Sequence, residues 1–295
     1  MPELPEVETA RRYLERGISG KRISDVDVGL DKLLRDSPLP DMRLLVGRTL
    51  QSADRRAKVL ILQFDGDLSL LVHLKLAGQV AVLLPGGERL VAGHPVPDPA
   101  GPYPHKATHI TIRFDDGTIA HFSDVRQFGW FRLMPSESVG AAIAEFGFGP
   151  EGTGDLDVAA LGAVFARRGI PVKTLLLDQS FIAGLGNIYV DEVLFRARVH
   201  PATAANAVSA IKRRRILEAV PGVLAAGIAQ GGAKIIHNRA YPVDGFPAVH
   251  GRAGEPCFVC GTPIAKTRVG SRGTYFCPRC QKASRVELQE RPVSR

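Results

Sequence analysis

Apolar residues recur at helical spacing at the start of the chain and again in its second half. A helix is predicted over residues 6–18, because Val7, Ala10, Leu14 and Ile18 fall on one side of it. After residue 150 the same spacing predicts four helices, over residues 158–168, 172–178, 188–197 and 208–230.

Between these regions the pattern favours short strands rich in β-branched and aliphatic residues. The strands are predicted over residues 23–28, 49–53, 58–64, 68–74, 79–84, 109–114, 118–122 and 130–134. Asp65-Gly66 and Asp116-Gly117 are typical of hairpin turns. Residues 85–104, rich in proline and glycine, are interpreted as an irregular surface loop. Many short strands with turn signals between them predict a β-sandwich.

The change of pattern predicts an α+β chain of several domains. An N-terminal helix plus β-sandwich occupies residues 1–134, a linker residues 135–150 and a helical domain residues 151–249. A cysteine-containing hairpin over residues 250–282 and a basic tail over residues 283–295 complete the order.

The net charge of the chain indicates the kind of partner that it binds. The 295 residues carry a net charge of +8 and a pI of about 9.5, which favours a polyanionic partner. Residues 250–295 hold nine Lys/Arg against three Asp/Glu. A membrane span is not expected, since no apolar run reaches about 18 residues. No signal peptide is recognised, so we expect a cytoplasmic protein.

The four cysteines form two Cys-x-x-Cys pairs. Their members are Cys257 and Cys260, then Cys277 and Cys280, with 16 residues between the pairs. Two such pairs can surround one tetrahedral Zn²⁺ and leave no open coordination position. We therefore predict one structural zinc ion. Two disulfides are the alternative, which a cytosolic chain disfavours.

Pro2 and Glu3 carry the candidate chemistry at the start of the chain. If Met1 is removed, Pro2 presents a secondary amine that titrates near pH ~8 and can attack an electrophilic carbon to give an iminium. Glu3 beside it is a candidate acid. The alternative is structural, because proline and acidic residues also suit a helix start.

The string Pro-Glu-Leu-Pro-Glu-Val-Glu over residues 2–8 resembles the signature of the formamidopyrimidine-DNA glycosylases, the Fpg/Nei family. The resemblance extends to about residue 282, with motifs in the same order. It implies that Pro2 is the catalytic nucleophile and that Glu3 helps to open the sugar. The implied activity is a bifunctional DNA glycosylase and AP lyase of base-excision repair, acting on double-stranded DNA with a damaged base or abasic site.

The resemblance also implies roles in the N-terminal half. Arg55-Arg56-Ala57-Lys58 resembles a family segment whose lysine supports lesion binding and elimination; otherwise Lys58 is an ordinary surface lysine. Arg126 and Phe128 resemble residues that fill the space of the flipped base; otherwise Phe128 is a core residue. Leu76 stands where the purine-repair branch commonly has methionine, and still offers an apolar wedge.

At Ala107 the family commonly has a DNA-contacting histidine, so His105 and His109 are candidate replacements. In the second half, residues 184–189 with Asn187 and Lys173 resemble a helix–two-turns–helix DNA-binding element. Arg168 falls where the family has a phosphate-contacting lysine.

The stretch Arg-Gly-Thr-Tyr-Phe-Cys over residues 272–277 resembles the family's zinc-finger hairpin. There the residue matching Arg272 binds phosphates around the lesion and is implicated in the second elimination. Lys266 and Arg268 on the same hairpin are candidate phosphate contacts; otherwise they are solubility charges.

Oxidised purines are the expected substrates, namely 8-oxoguanine and formamidopyrimidines. Leu76 and the compact stretch 231–251 keep open the pyrimidine-specific endonuclease VIII branch. A non-catalytic binder of damaged DNA is the alternative from another class. We expect a monomer.

Overall fold

A computed structural model describes residues 2–236 and 239–283. The chain forms two compact units, Met1–Gly147 and Phe148–Arg295, called here the N-terminal and C-terminal units. Residues 284–295 of the predicted basic tail lie outside the described residues. Among the described residues, no helix has both the length and the apolar character that crossing a membrane requires.

The N-terminal unit is a helix packed on a β-sandwich, as predicted. Helix α1 spans Leu4–Ile18 and begins two residues earlier than expected. The strands are β1 Ile23–Val28, β2 Leu50–Arg56, β3 Val59–Phe64, β4 Leu68–His73, β5 Gly78–Leu83, β6 Arg89–Gly93, β7 Thr108–Phe114, β8 Ile119–Asp124 and β9 Trp130–Pro135. One antiparallel sheet has the order β1-β7-β8-β5-β6 and the other the order β2-β3-β4-β9.

The core of this unit joins the apolar side of α1 to the inner faces of both sheets. Leu14 and Ile18 of α1 belong to the same buried cluster as Leu60 of β3 and Phe122 of β8. Burial of these side chains stabilises the unit at about 25 cal/mol per Å² of apolar surface removed from water. The core therefore fixes α1, which begins directly after Pro2 and Glu3, against the sandwich.

The predicted loop over residues 85–104 is corrected by strand β6. This strand pairs with β5 along its whole length. Leu90 and Ala92 are buried, Arg89 is exposed and Val91 between the two buried residues is half-buried, an alternation typical of an edge strand. The surrounding prolines and glycines concealed it in the sequence. The predicted linker over residues 135–150 likewise contains helix α2, Val139–Ala144.

The C-terminal unit is helical and ends in a small hairpin. The helices of this unit are α3 Val158–Arg167, α4 Val172–Leu176, α5 Asn187–Arg196 and α6 Ala210–Ala229. Helix α5 packs against α6, where Gly227 allows close contact, since an added Cβ would lie 2.4 Å from the Tyr189 ring. The strands of this unit are β10 Ile235–Ile236, β11 Arg239–Ala240, β12 Ala265–Val269 and β13 Arg272–Phe276.

Candidate functional site

Pro2 and Glu3 stand immediately before helix α1. Both are buried, and Glu3 is 0% exposed. Glu3 is the N-cap of α1 and forms a capping box with Glu6: the Glu3 amide donates to Glu6 Oε2 at 2.8 Å, and the Glu3 carboxylate accepts the Glu6 amide. Such reciprocal bonds satisfy the orphan amides of a helix start. They fix the Glu3 carboxyl group at the start of α1, in the residue that follows Pro2.

Glu8, one helical turn further, ties α1 to the β2–β3 turn. Its carboxylate accepts hydrogen bonds from Arg11, Arg12 and Arg55 over 2.8 to 3.1 Å. Burial alone would raise the pKa of Glu8, but these three guanidinium groups lower it to about 2. Glu8 is therefore an anion at neutral pH.

Lys58 lies in the turn that Glu8 anchors. Arg55, which is held by Glu8, also donates from Nη1 to the carbonyl of Ala57 at 3.3 Å. Ala57 is fully buried with a φ of 52°, a conformation that is uncommon for a residue with a Cβ. Lys58 follows it and is half-buried. Thus α1 and the Lys58 turn share one network of ion pairs.

His73 is a candidate site residue that the sequence interpretation missed. His73 on β4 pairs with Val59 on β3, and Val59 is the residue that follows Lys58. Burial, together with the charges of Lys75 and Lys58, lowers the pKa of His73 to about 3. The ring is therefore neutral, and its Nδ1 accepts the Lys75 amide at 2.9 Å. In the sequence, only the nearby Lys75 and the more distant Lys58 could have indicated that His73 belongs to a charged site.

Asp124 builds the loop that presents Arg126 and Phe128. Its buried carboxylate accepts the amides of Arg126, Phe128 and Gly129 at 2.8 to 2.9 Å. Phe128 is 52% exposed, so the alternative of a core phenylalanine is wrong. The Arg126 guanidinium carbon lies 5.2 Å from the Phe128 ring centre, within the range of a cation–π contact.

The remaining candidates of this unit are only partly accessible. Leu76 is half-buried in the turn between β4 and β5. His105 Nδ1 accepts the amide of Ala107 at 3.1 Å, and His109 Nε2 lies 3.0 Å from the Asp124 carbonyl. Each of the two histidine rings therefore has one nitrogen engaged by the backbone of its own unit.

Lys173 requires a correction. The sequence interpretation assigned it to DNA binding, but its side chain is 0% exposed and its Nζ lies 2.7 Å from Asp191 Oδ1. Asp191 Oδ2 also lies 2.7 Å from His250 Nδ1 and accepts the Tyr275 amide at 3.0 Å. A buried ammonium of this kind is paired because an isolated charge is costly inside a protein. Lys173 therefore holds the unit together and does not face DNA.

Glu192, next along α5, was also missed as a structural anchor. It accepts the amides of Ala248, Val249 and His250 at 2.7 to 2.9 Å. Burial raises the pKa of Glu192, and the three amide bonds oppose that shift. Two consecutive acidic residues of α5 thus bind the segment that leads into the cysteine hairpin.

Asn187 meets the same hairpin. Its Nδ2 donates to the carbonyl of Gly273 at 3.0 Å, and Lys173 Nζ donates to that carbonyl at 3.1 Å. Gly273 directly follows Arg272, which is exposed. The first residue of α5 and the buried lysine therefore fix the backbone beside Arg272.

The hairpin separates its three candidate cations by register. Arg268 lies opposite Gly273 and Lys266 opposite Tyr275, whereas Arg272 lies opposite Val269. Side chains alternate between the two faces of a strand, so Arg272 points to the other face from Lys266 and Arg268. All three are exposed, as is Arg168 at the end of α3.

The four cysteines converge, and no disulfide joins them. The Sγ atoms of Cys257, Cys260, Cys277 and Cys280 lie within 4.8 Å of one another. Amides at Val259 and Cys280 donate to two of the sulfurs at 3.4 Å. Tetrahedral Zn²⁺ with bonds of about 2.3 Å fits such a sulfur cluster. The prediction of one structural zinc site is confirmed, and the disulfide alternative is wrong.

Family models match most of the chain. The formamidopyrimidine-DNA glycosylase N-terminal domain matches residues 1–131, the H2TH domain of the same enzymes residues 148–238, and a zinc finger found in FPG and IleRS residues 254–283.

Whole-chain relatives agree with these matches. The formamidopyrimidine-DNA glycosylase of Streptococcus thermophilus is 38% identical, and that of Exiguobacterium sibiricum is 40% identical. Each match covers 96% of this chain and 100% of the relative.

Solved structures share the architecture. Lactococcus lactis Fpg (MutM), in complex with DNA containing N7-benzyl-Fapy-dG, has a TM-score of 0.83 and 32% identity. A MutM complex with DNA containing carbocyclic 8-oxo-G has a TM-score of 0.82 and 32% identity. Both comparisons cover 96% of this chain and 100% of the other. This protein belongs to the formamidopyrimidine-DNA glycosylase family, so the predicted resemblance and fold class are confirmed.

Proposed function

We propose that the protein is a DNA glycosylase and AP lyase of base-excision repair that removes oxidised purines through Pro2. Its substrate is double-stranded DNA with a damaged base or an abasic site. The observation that carries the proposal is the buried Glu3 side chain, fixed by its capping box in the residue that follows Pro2, in a chain that belongs to this family.

Base release begins with extrusion of the damaged nucleotide, since a stacked base is inaccessible. The Pro2 amine, freed by removal of Met1, forms a bond to the anomeric carbon C1′. Glu3 donates a proton to the ring oxygen O4′ as the C1′–O4′ bond opens. The C1′–base bond breaks, the base leaves with its bonding electrons and takes up a proton, and a C1′ iminium remains on Pro2.

Strand cleavage follows from the iminium, which acidifies the protons on C2′. In the β-elimination, loss of a C2′ proton breaks the bond between C3′ and the oxygen of its phosphate. In the δ-elimination, loss of a C4′ proton breaks the bond between C5′ and the oxygen of its phosphate. Lys58 supports lesion binding and elimination. Arg272 binds phosphate near the lesion and assists the second elimination.

The other candidates bind the duplex. Leu76, Arg126 and Phe128 occupy the space left by the flipped nucleotide, where Arg126 donates hydrogen bonds to the orphaned base. Phosphate contacts are assigned to Arg168, Asn187, Lys266 and Arg268. His105 and His109 are assigned the DNA contact that the family places at Ala107. The cysteines hold one zinc ion, which cross-links the hairpin structurally. We propose a monomer that acts in the cytoplasm on nucleoid DNA.

Borohydride trapping tests the Pro2 mechanism. Reduction during turnover on a duplex with 8-oxoguanine should join protein to DNA, and peptide mapping should place the adduct on Pro2. A matched protein with one uncleaved residue before Pro2 should give no adduct, because the nitrogen is then an amide. An adduct on Lys58, or turnover by the extended protein, would contradict the assignment. Binding without any turnover would favour a non-catalytic damage binder.

Single-turnover excision tests the substrate class. Matched duplexes carry 8-oxoguanine, a formamidopyrimidine, thymine glycol or dihydrouracil, each opposite its usual partner. We expect the two purine lesions to be released fastest, and 8-oxoguanine faster opposite cytosine than opposite adenine. Faster release of both pyrimidine lesions would instead indicate endonuclease VIII specificity and leave the Pro2 mechanism intact.

A further inference from the structure

Lys75 adopts a backbone conformation that does not suit its side chain. Its φ is 48°, in the left-handed region that residues with a Cβ rarely occupy. It lies in the tight turn from Leu74 to Gly78, closed by a 2.8 Å hydrogen bond from the Gly78 amide to the Leu74 carbonyl. Glycine would adopt this conformation without the steric penalty.

The turn is fixed on both sides of this strained residue. Leu74 is 0% and Ala77 1% exposed. The Lys75 amide is held by His73 Nδ1 at 2.9 Å. Lys75 itself is exposed. The surrounding structure therefore maintains the strain and directs a cation to solvent, and strain held in this way is typical of functional positions.

The position of Lys75 relates it to the proposed site. Leu76, the candidate wedge, follows it directly. The ammonium groups of Lys75 and Lys58 both act electrostatically on the His73 ring, whose Nδ1 accepts the Lys75 amide. Among the described residues, Lys75 forms no ion pair within the protein. An unpaired cation beside a wedge residue suits a phosphate as its partner.

We propose that Lys75 binds a phosphate of the DNA backbone next to the nucleotide that Leu76 displaces, and that this contact maintains lysine at a strained position. The inference rests on the proposed function, because it requires a duplex opened at this turn. The contact supplies affinity and register and takes no part in bond breaking.

Substitutions of Lys75 test the proposal, because they should preserve or raise the stability of the protein while they weaken its binding to DNA. Lys75→Asn removes the charge and keeps a residue that tolerates a positive φ, and Lys75→Gly also removes the strain. Both variants should unfold at the wild-type temperature or higher. Both should bind a duplex with a tetrahydrofuran abasic analogue more weakly, and the slope of log K against log salt should be shallower by about one unit. Lys75→Arg should retain wild-type affinity and slope.

Asp67 supplies a matched control. It is also exposed, has a φ of 58° and lies in the turn between β3 and β4 of the same unit. Asp67→Gly should raise the unfolding temperature and leave DNA binding unchanged. The proposal is overturned if Lys75→Asn binds with wild-type affinity and slope, or if Lys75→Arg loses binding as fully as Lys75→Gly. Failure of the proposed function is distinct, because wild-type protein would then show no turnover and no borohydride adduct on damaged DNA, whereas the Lys75 contact is measured by binding alone.

Discussion

The two units hold their candidate site residues by different physical means. In the N-terminal unit, an apolar core fixes α1 and the sheets, and Glu8 adds ion pairs at the margin of that core, where Arg12 remains 55% exposed. In the C-terminal unit, the Lys173–Asp191 pair is 0% exposed on both sides. A buried pair contributes little net stability compared with apolar packing, but removal of one partner leaves a costly isolated charge. The C-terminal unit should therefore be the more sensitive to single charge changes.

Loss of zinc should have the largest effect, and it should act on the C-terminal unit alone. Cys260→Ser, or removal of the metal by a chelator, should unfold the hairpin, because structural Zn²⁺ sites contribute about 10–16 kcal/mol of apparent binding energy. DNA binding should then fall, while calorimetry should retain the unfolding transition of the β-sandwich. Metal analysis should find about one Zn per chain in the wild type. Ser271→Ala in the exposed hairpin turn is the control, and full activity of metal-free protein would contradict the prediction.

Lys173→Met should cost about 3–5 kcal/mol of unfolding free energy, because it removes the lysine charge that pairs with the buried Asp191 carboxylate at Oδ1. Denaturant unfolding measures this. Adding Asp191→Leu should recover part of the loss. The control Arg214→Met removes a pair with Glu218 whose side chains are 72% and 51% exposed, and its effect should be small. Equal effects of the two single changes would remove the proposed difference between buried and exposed pairs.

Glu8→Gln should have a smaller effect that depends on pH. The folded pKa of Glu8 is about 2, below its ordinary value of 4.5, so its contribution is present above pH 4.5 and is lost as pH falls towards 2. The difference in unfolding free energy from wild type should be at most about 3 kcal/mol at pH 7 and should shrink across that window. Glu145→Gln, at an exposed residue of the same unit, is the control. A difference that stays constant with pH would contradict this account.

Arg272→Ala should have the smallest effect on folding, because the side chain is exposed. It should leave the unfolding temperature close to wild type, weaken binding to all duplexes, and make the salt dependence shallower by about one unit. Arg43→Ala, at an exposed arginine of the N-terminal unit, should leave the slope unchanged. An unchanged slope for Arg272→Ala would mean that it neutralises no phosphate.

Local patterns predicted most of the elements, because helical and strand periodicity are short-range properties. Strand β1 was predicted with its observed bounds, Ile23–Val28, and the cysteine spacing predicted the convergence of four sulfurs. Strand β6 was missed because its five residues lie between proline-rich stretches that dominate the local composition.

Long-range contacts account for what the sequence could not predict. Lys173 and Gly273 are 100 positions apart and meet through one hydrogen bond, so no local pattern could reveal that this lysine is buried. The register that separates Arg272 from Arg268 depends on the two-residue turn of the hairpin. The lowered pKa of His73 depends on burial and on the charges of Lys75 and Lys58, and the pairing of His73 with Val59 links residues 14 positions apart in the sequence.

The anchoring of the hairpin limits how these enzymes can be recombined. Three of its backbone bonds, at Gly273 and Tyr275, are completed by Asn187, Lys173 and Asp191 of the helical segments. A hairpin grafted alone onto another scaffold would carry its metal ligands and Arg272 but would leave those groups to solvent. A chimaera that exchanges residues 172–283 as one block keeps every one of these bonds. The smallest segment that can be exchanged with these contacts intact therefore contains the helices together with the hairpin.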